Sequence, residues 1–131
     1  MLNNQTPKVY IVDDDIDLCK ALKWLLESND LHVEFFHSAI DFLKSYQTSW
    51  TGCLLIDVRM PEMNGLQLVE NLKNLGNQIP IIMISGHADI AMAVSAIKSG
   101  AIDFIAKPFN DQHLLQHIQS ALSIGGRPFI K

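Results

Sequence analysis

Cysteine is scarce in this chain, and positive charge is neither abundant nor clustered. The 131 residues contain only Cys19 and Cys53, too few for a disulfide framework, so stability has to come from a packed core. Cys53 opens an apolar run and reads as a small buried hydrophobe. Ten Lys and Arg stand against fourteen Asp and Glu, a net charge of −4. That balance argues against a free-standing nucleic-acid binder, because phosphate recognition needs a basic face. No polybasic run is present to hold a membrane surface, and no apolar run approaches the length needed to cross a bilayer. Met1 to Lys8 is polar and interrupted by Pro7, without the apolar segment of a secretory leader. A reducing cytoplasm is the expected compartment.

What is present is a globular chain: 48 % of the residues are apolar, enough for one domain with a proper core. Strand-like and helix-like patterns alternate five times. The runs Cys53 to Ile56 and Ile81 to Ile84, and Lys8 to Val12 after its opening lysine, are apolar, as buried parallel strands are. His32 to Phe36 and Ile102 to Ala106 alternate instead, as expected at sheet edges. Between them, helical spacing brings inward Leu18, Ala21, Leu22, Leu25 and Leu26, then Ala39, Phe42, Leu43 and Tyr46 behind a Ser38 cap. A third helix turns in Leu68, Val69 and Leu72, and a fourth, from about Asp89 to Ser99, Ile90, Val94 and Ile97. A fifth, capped by Asn110, turns in Leu114, Ile118, Ala121 and Leu122. Alternation of this kind implies an α/β fold, a single doubly wound (βα)5 domain of flavodoxin-like type. Right-handed crossovers give its parallel five-stranded sheet the order 2-1-3-4-5. The domain should occupy residues 7–122, with 123–131, which holds the run Gly125-Gly126-Arg127-Pro128, as a tail or the start of a linker.

In that order the first and third strands flank the point where the winding reverses, which is where such sheets place ligands. Asp13 and Asp14 end the first strand and Asp57 the third, so three carboxylates converge on one crevice. Ser85 ends the fourth strand and Lys107 the fifth, facing the same place. Clustered, partly buried carboxylates repel and hold their protons. A hard divalent cation such as Mg2+ relieves the conflict. A carboxylate nucleophile, Mg2+, a fixed ammonium and a hydroxyl together are what formation of an aspartyl-phosphate requires.

Four short motifs carry a resemblance that covers nearly the whole chain: VDDD at Val12 to Asp15, DVRMPEMNG at Asp57 to Gly65, SGHAD at Ser85 to Asp89 and KPF at Lys107 to Phe109. Weak singly, in this order they are specific. The chain resembles the receiver (CheY-like) domain of bacterial two-component response regulators, and the DVRMP and SGHAD wording is most similar to FixJ-like receivers that precede DNA-binding output domains. The resemblance implies that Asp57 accepts a phosphoryl group from a sensor histidine kinase. It implies that Asp14, Asp57 and the Arg59 backbone carbonyl bind Mg2+ while Asp13 acts through metal-bound water. Lys107 would contact the phosphoryl group, Ser85 would shift to hydrogen-bond it, and Phe104 would rotate inward as the aromatic switch. The Lys107-Pro108 bond is cis in the family. Ser85 stands where the family often has Thr, and Phe104 where it often has Tyr; the latter lacks a hydroxyl with which to signal its rotamer.

Other residues invite weaker readings. Asp15 and Asp17 suit a helix's first turn better than a metal. His113 and His117 are four apart but lack a third ligand, so a solvated surface is expected. Arg59 and His87, two residues after Asp57 and Ser85, are candidates for tuning how fast the phosphoryl group is lost. No charged residue lies between Asp89 and Lys98, which suggests a partner surface on the fourth helix, fifth strand and fifth helix, and a phosphorylation-dependent homodimer. An enzyme of the haloacid-dehalogenase type would want a second Asp two residues after the nucleophile, where Arg59 stands. A flavin or nucleotide binder would want Gly or hydroxyl residues where Asp13 to Asp15 stand. A phosphorylation switch, acting chemically only on itself, is therefore preferred. It would not itself bind DNA or membrane.

Overall fold

The computed structural model describes residues 7–86 and 89–125. Ten elements alternate: β1 Lys8–Val12, α1 Ile16–Glu27, β2 His32–Phe36, α2 Ala39–Ser45, β3 Gly52–Asp57, α3 Gly65–Asn74, β4 Ile81–Ser85, α4 Ile90–Lys98, β5 Asp103–Ala106 and α5 Asp111–Gly125. The strands are parallel and ordered β2-β1-β3-β4-β5. The apolar strands β1, β3 and β4 are central and the alternating ones are edges, as their patterns require. α5 runs to Gly125, so Ser123 and Ile124 are helical rather than part of a linker.

Because successive strand residues point to opposite faces, the sheet sorts its apolar residues into two cores. Tyr10, Val12, Leu54, Ile56, Ile81 and Met83 pack with α2, α3 and α4. Val9, Ile11, Cys53, Leu55, Ile82 and Ile84 pack with α1 and α5. Local chemistry sets the helix starts: the carboxylate of Asp15 accepts from the Leu18 N–H at 3.1 Å, and Ser38 Oγ accepts from the Asp41 N–H at 3.0 Å. Asn64 and Gln67 form a reciprocal capping box.

Two helices turn differently from what their spacing suggests. In α1 the fully buried positions are Cys19, Leu22 and Leu26, while Ala21 is exposed. In α4 the difference reverses a face. Ala93 and Ala96 are buried, whereas Ile90, Val94 and Ile97 are 45 %, 42 % and 38 % exposed. Both stripes have helical spacing. α4 packs against α3 and the sheet through Ala93 and Ala96, so the small stripe takes the interior and lets the helix approach closely. Ala96→Leu is therefore expected to destabilise the domain by about 1–3 kcal/mol through overpacking. Ile97→Ser should cost no more than about 0.5 kcal/mol, as surface changes do. Urea unfolding of both variants checks this; the opposite ranking would overturn the assigned orientation.

Candidate functional site

The carboxyl ends of β1, β3, β4 and β5 meet at one crevice, pinned by backbone bonds. The Val58 N–H donates to Ile84 O at 2.9 Å, and Gly65 N–H to Val58 O at 2.8 Å. Lys107 N–H donates to Ser85 O at 2.7 Å, which fixes the last strand end against the fourth. The Lys107-Pro108 bond is cis.

Asp13, Asp14 and Asp57 each offer a carboxylate oxygen within 4.8 Å of the other two. Asp13 and Asp57 are buried and Asp14 is exposed at the lip. Lys107 Nζ lies 3.4 Å from Asp13 Oδ2 and 3.4 Å from Asp57 Oδ1, so one ammonium serves two buried acids. Asp13 is further engaged by the Asp15 N–H, which donates to its Oδ1 at 2.9 Å. Burial, with the neighbouring Asp13 and Asp14 charges added, pushes the Asp57 carboxyl up to about 6 against the pull of Lys107. Burial also raises the carboxyl of Asp13. Burial alone would lower the Lys107 ammonium, but the two facing carboxylates outweigh it and hold the proton more tightly. Three acids against one base leave an excess of negative charge in a half-desolvated pocket. This hard oxygen donor set suits Mg2+.

Of the remaining expected residues, Ser85 is buried and its hydroxyl donates to Gly86 O at 2.9 Å, turned to its own loop. Phe104 on β5 is half-buried against the α3–α4 core. The Arg59 guanidinium forms a two-pronged pair with Asp89, with Nε donating to Oδ2 at 3.2 Å and Nη2 to Oδ1. Nothing at the sequence level singles out Asp89, since a partner thirty residues away leaves no local pattern. His87 lies outside the described residues. Away from the crevice, Asp15 is a helix cap. His117 is not merely solvated, because its Nδ1 meets Asp103 Oδ2 at 2.6 Å.

Mg2+ is expected to stabilise the domain at pH 7.5 by about 2.7 kcal/mol when present at one hundred times its dissociation constant. The effect should fade as pH falls through about 6, where Asp57 takes up a proton that the metal must displace. Thermal unfolding with and without Mg2+ across that range measures it; a shift independent of pH would argue against this cluster.

A sequence profile of the response regulator receiver domain family matches residues 9–119. The response regulator protein TodT of Pseudomonas putida is 51 % identical over 123 residues, covering 94 % of this chain and 54 % of that protein. The transcriptional regulatory protein FixJ of Rhizobium meliloti is 43 % identical over 113 residues, covering 86 % of this chain and 55 % of that one. Among solved structures, the response regulator StyR superposes with a TM-score of 0.87 at 42 % identity, over 92 % of this chain and 61 % of that one. The chain thus spans about half the length of the curated relatives it matches.

Proposed function

The chain belongs to the response regulator receiver domain family, and from that premise we propose that Asp57 is its phosphoacceptor and α4, β5 and α5 its output face. The observation that carries the reading is the buried Asp57 carboxylate at a strand end, 3.4 Å from Lys107 Nζ and beside Asp13 and Asp14.

An oxygen of Asp57 attacks the phosphorus of a sensor kinase's phosphohistidine in line. The O–P bond forms as the P–N bond breaks, and the electron pair leaves with the imidazole. Lys107 then pairs with a phosphoryl oxygen. Ser85 turns its hydroxyl from Gly86 O to the phosphoryl group, and Phe104 rotates into the space this opens. Receiver domains bind Mg2+ at an acidic pocket of this kind. Here Asp14, Asp57 and the carbonyl of Arg59 would hold it, and Asp13, with both oxygens already engaged, would act through water. Bound there, the ion neutralises charge on the transferring phosphoryl group.

The domain acts chemically on itself alone, by accepting and slowly losing this group. A sensor histidine kinase is the partner that supplies it. A groove beside the crevice, lined by Leu18, Leu25, Trp24 and Phe109, is the apolar surface it would meet, with Trp24 73 % exposed. The receiver runs through the end of α5 at Gly125, three residues past the expected bound of 122, and in the full protein it leads to a DNA-binding output domain. The relatives' names as transcriptional regulators support that output, and a cytoplasmic location fits it. Among the described residues no helix is long and apolar enough to cross a membrane.

The outward Ile90, Val94 and Ile97 of α4, joined by Ile102 at 47 % exposure, form an apolar strip suited to a second copy of the chain. Acetyl phosphate with Mg2+ should add one phosphoryl group by intact mass, and sedimentation should show a monomer becoming a dimer. Val94→Asp should keep the adduct, change stability by less than about 0.5 kcal/mol and remain monomeric. Absence of any adduct would overturn the phosphoacceptor reading. A phosphorylated Val94→Asp dimer would overturn the surface.

A further inference from the structure

Among the described residues, four of the five helices have a side-chain cap at the amino end. Asp15, Ser38 and Asn64 accept from the N–H three residues on, and so does Asn110, from His113 at 3.2 Å. α4 is the exception. Asp89 occupies its N-cap position but makes no cap hydrogen bond, and its backbone (φ −114°, ψ 19°) is outside the extended region that capping residues adopt. Its carboxylate, nearly buried, is given instead to the exposed guanidinium of Arg59.

This diversion joins two loops that the proposed phosphorylation must connect. Arg59 lies two residues past Asp57, and Asp89 stands directly before the helix whose outer face is apolar. The pair lies within electrostatic reach of the site: the Asp57 carboxylate adds to the hold of Asp89 on the Arg59 proton, and the carboxyl of Asp89 is held down first by Arg59 and further by Lys107. A guanidinium has one planar fork to offer, and a phosphoryl group presents more negative charge and more acceptor oxygens than a carboxylate.

We propose that Asp89 is a positioning residue that holds the Arg59 guanidinium off the site, and that phosphorylation draws this guanidinium to the phosphoryl group and frees Asp89 to cap α4. The freed carboxylate would accept from the Met92 N–H, as the other caps do from their N3 position, and would reset the first turn of α4 under Ile90 and Val94. The proposal rests on Asp57 being the phosphoacceptor.

Amide hydrogen exchange across α4 tests it, at protein concentrations where sedimentation shows a monomer, with amides of β3 as the control for folding. In the wild type, phosphorylation should raise protection of the first α4 turn about fivefold, the worth of one helix cap. Arg59→Ala frees the same carboxylate without phosphate, and Asp89→Asn loses the ion pair but keeps an oxygen able to cap. Both should show the raised protection before acetyl phosphate is added, with less than about a twofold further change. Asp89→Ala can neither pair nor cap and should stay unprotected throughout. If Arg59→Ala and Asp89→Asn instead fall with Asp89→Ala below the wild type, the pair is only a structural pin and the proposal is overturned. The unphosphorylated comparison decides this even if the wild type takes up no phosphoryl group by intact mass, a result that would sink the phosphoacceptor reading alone.

Discussion

Asp57→Asn is expected to abolish phosphoryl uptake completely and, at the same time, to make the metal-free domain more stable. The amide has no nucleophilic oxygen at neutral pH, so acetyl phosphate with Mg2+ should leave the intact mass unchanged. The gain in stability follows from the acid's environment. Burial and the neighbouring carboxylates hold the folded carboxyl at about 6, above the ordinary value it regains on unfolding. A group raised in this way binds its proton more tightly in the folded state. The wild type therefore gains stability from Asp57 as pH falls from about 6 towards 4, and bears the full cost of the ionised form above about 6. That cost is on the order of 3 kcal/mol at most. The amide carries no such charge and leaves the Lys107–Asp13 pair intact. Without metal, the variant should exceed the wild type by about 1–3 kcal/mol at pH 8 and lose the advantage near pH 4. Chemical unfolding at both pH values measures the difference. A variant that still takes up phosphate would remove Asp57 as the acceptor, and one less stable at pH 8 would contradict the electrostatics assigned to the crevice.

Gly65→Ala should damage fold and site together. Gly65 opens α3 against the end of β3, and a Cβ there would stand 2.3 Å from the Asp57 carbonyl oxygen and 2.9 Å from Val58 Cα. Both are backbone atoms and cannot rotate aside. Either α3 retreats from the sheet or the strand end carrying Asp57 is displaced, at about 2–4 kcal/mol for overpacking of this kind. Displacement of the nucleophile by even an ångström costs about a hundredfold in rate, so phosphoryl uptake should slow far beyond what partial unfolding explains. Gly76→Ala is the comparison. No atom lies within 4 Å of its Cβ position, but its φ is +82°, so it should cost only the backbone preference, about 1 kcal/mol, and leave uptake unchanged. Equal effects of the two substitutions would show that close approach at Gly65 is not what the position demands.

The strands were readable because their chemistry is local. A run such as Leu54-Leu55-Ile56 is stable only between two covered faces, and an alternating run such as His32 to Phe36 only at an edge, so pattern and place in the sheet coincide. The ends of the strands followed, and with them the meeting of Asp13, Asp14, Asp57 and Lys107. α4 departs from its pattern for a reason equally physical. Its two stripes, Ala93 with Ala96 and Ile90 with Val94 and Ile97, are both periodic, and hydrophobicity favours the larger set for the interior. Close packing of α4 on α3 and the sheet favours the smaller. In α1, Cys19 rather than Ala21 faces the sheet.

By itself, then, the sequence determined the order of the sheet and the gathering of acids at its carboxyl edge, since both depend on period, burial and chain direction alone. Tertiary structure decided which face of α4 meets solvent, where the Ser85 hydroxyl points, and that Arg59 pairs with Asp89. Those depend on which groups from distant segments come within bonding distance, and no local pattern encodes a distance.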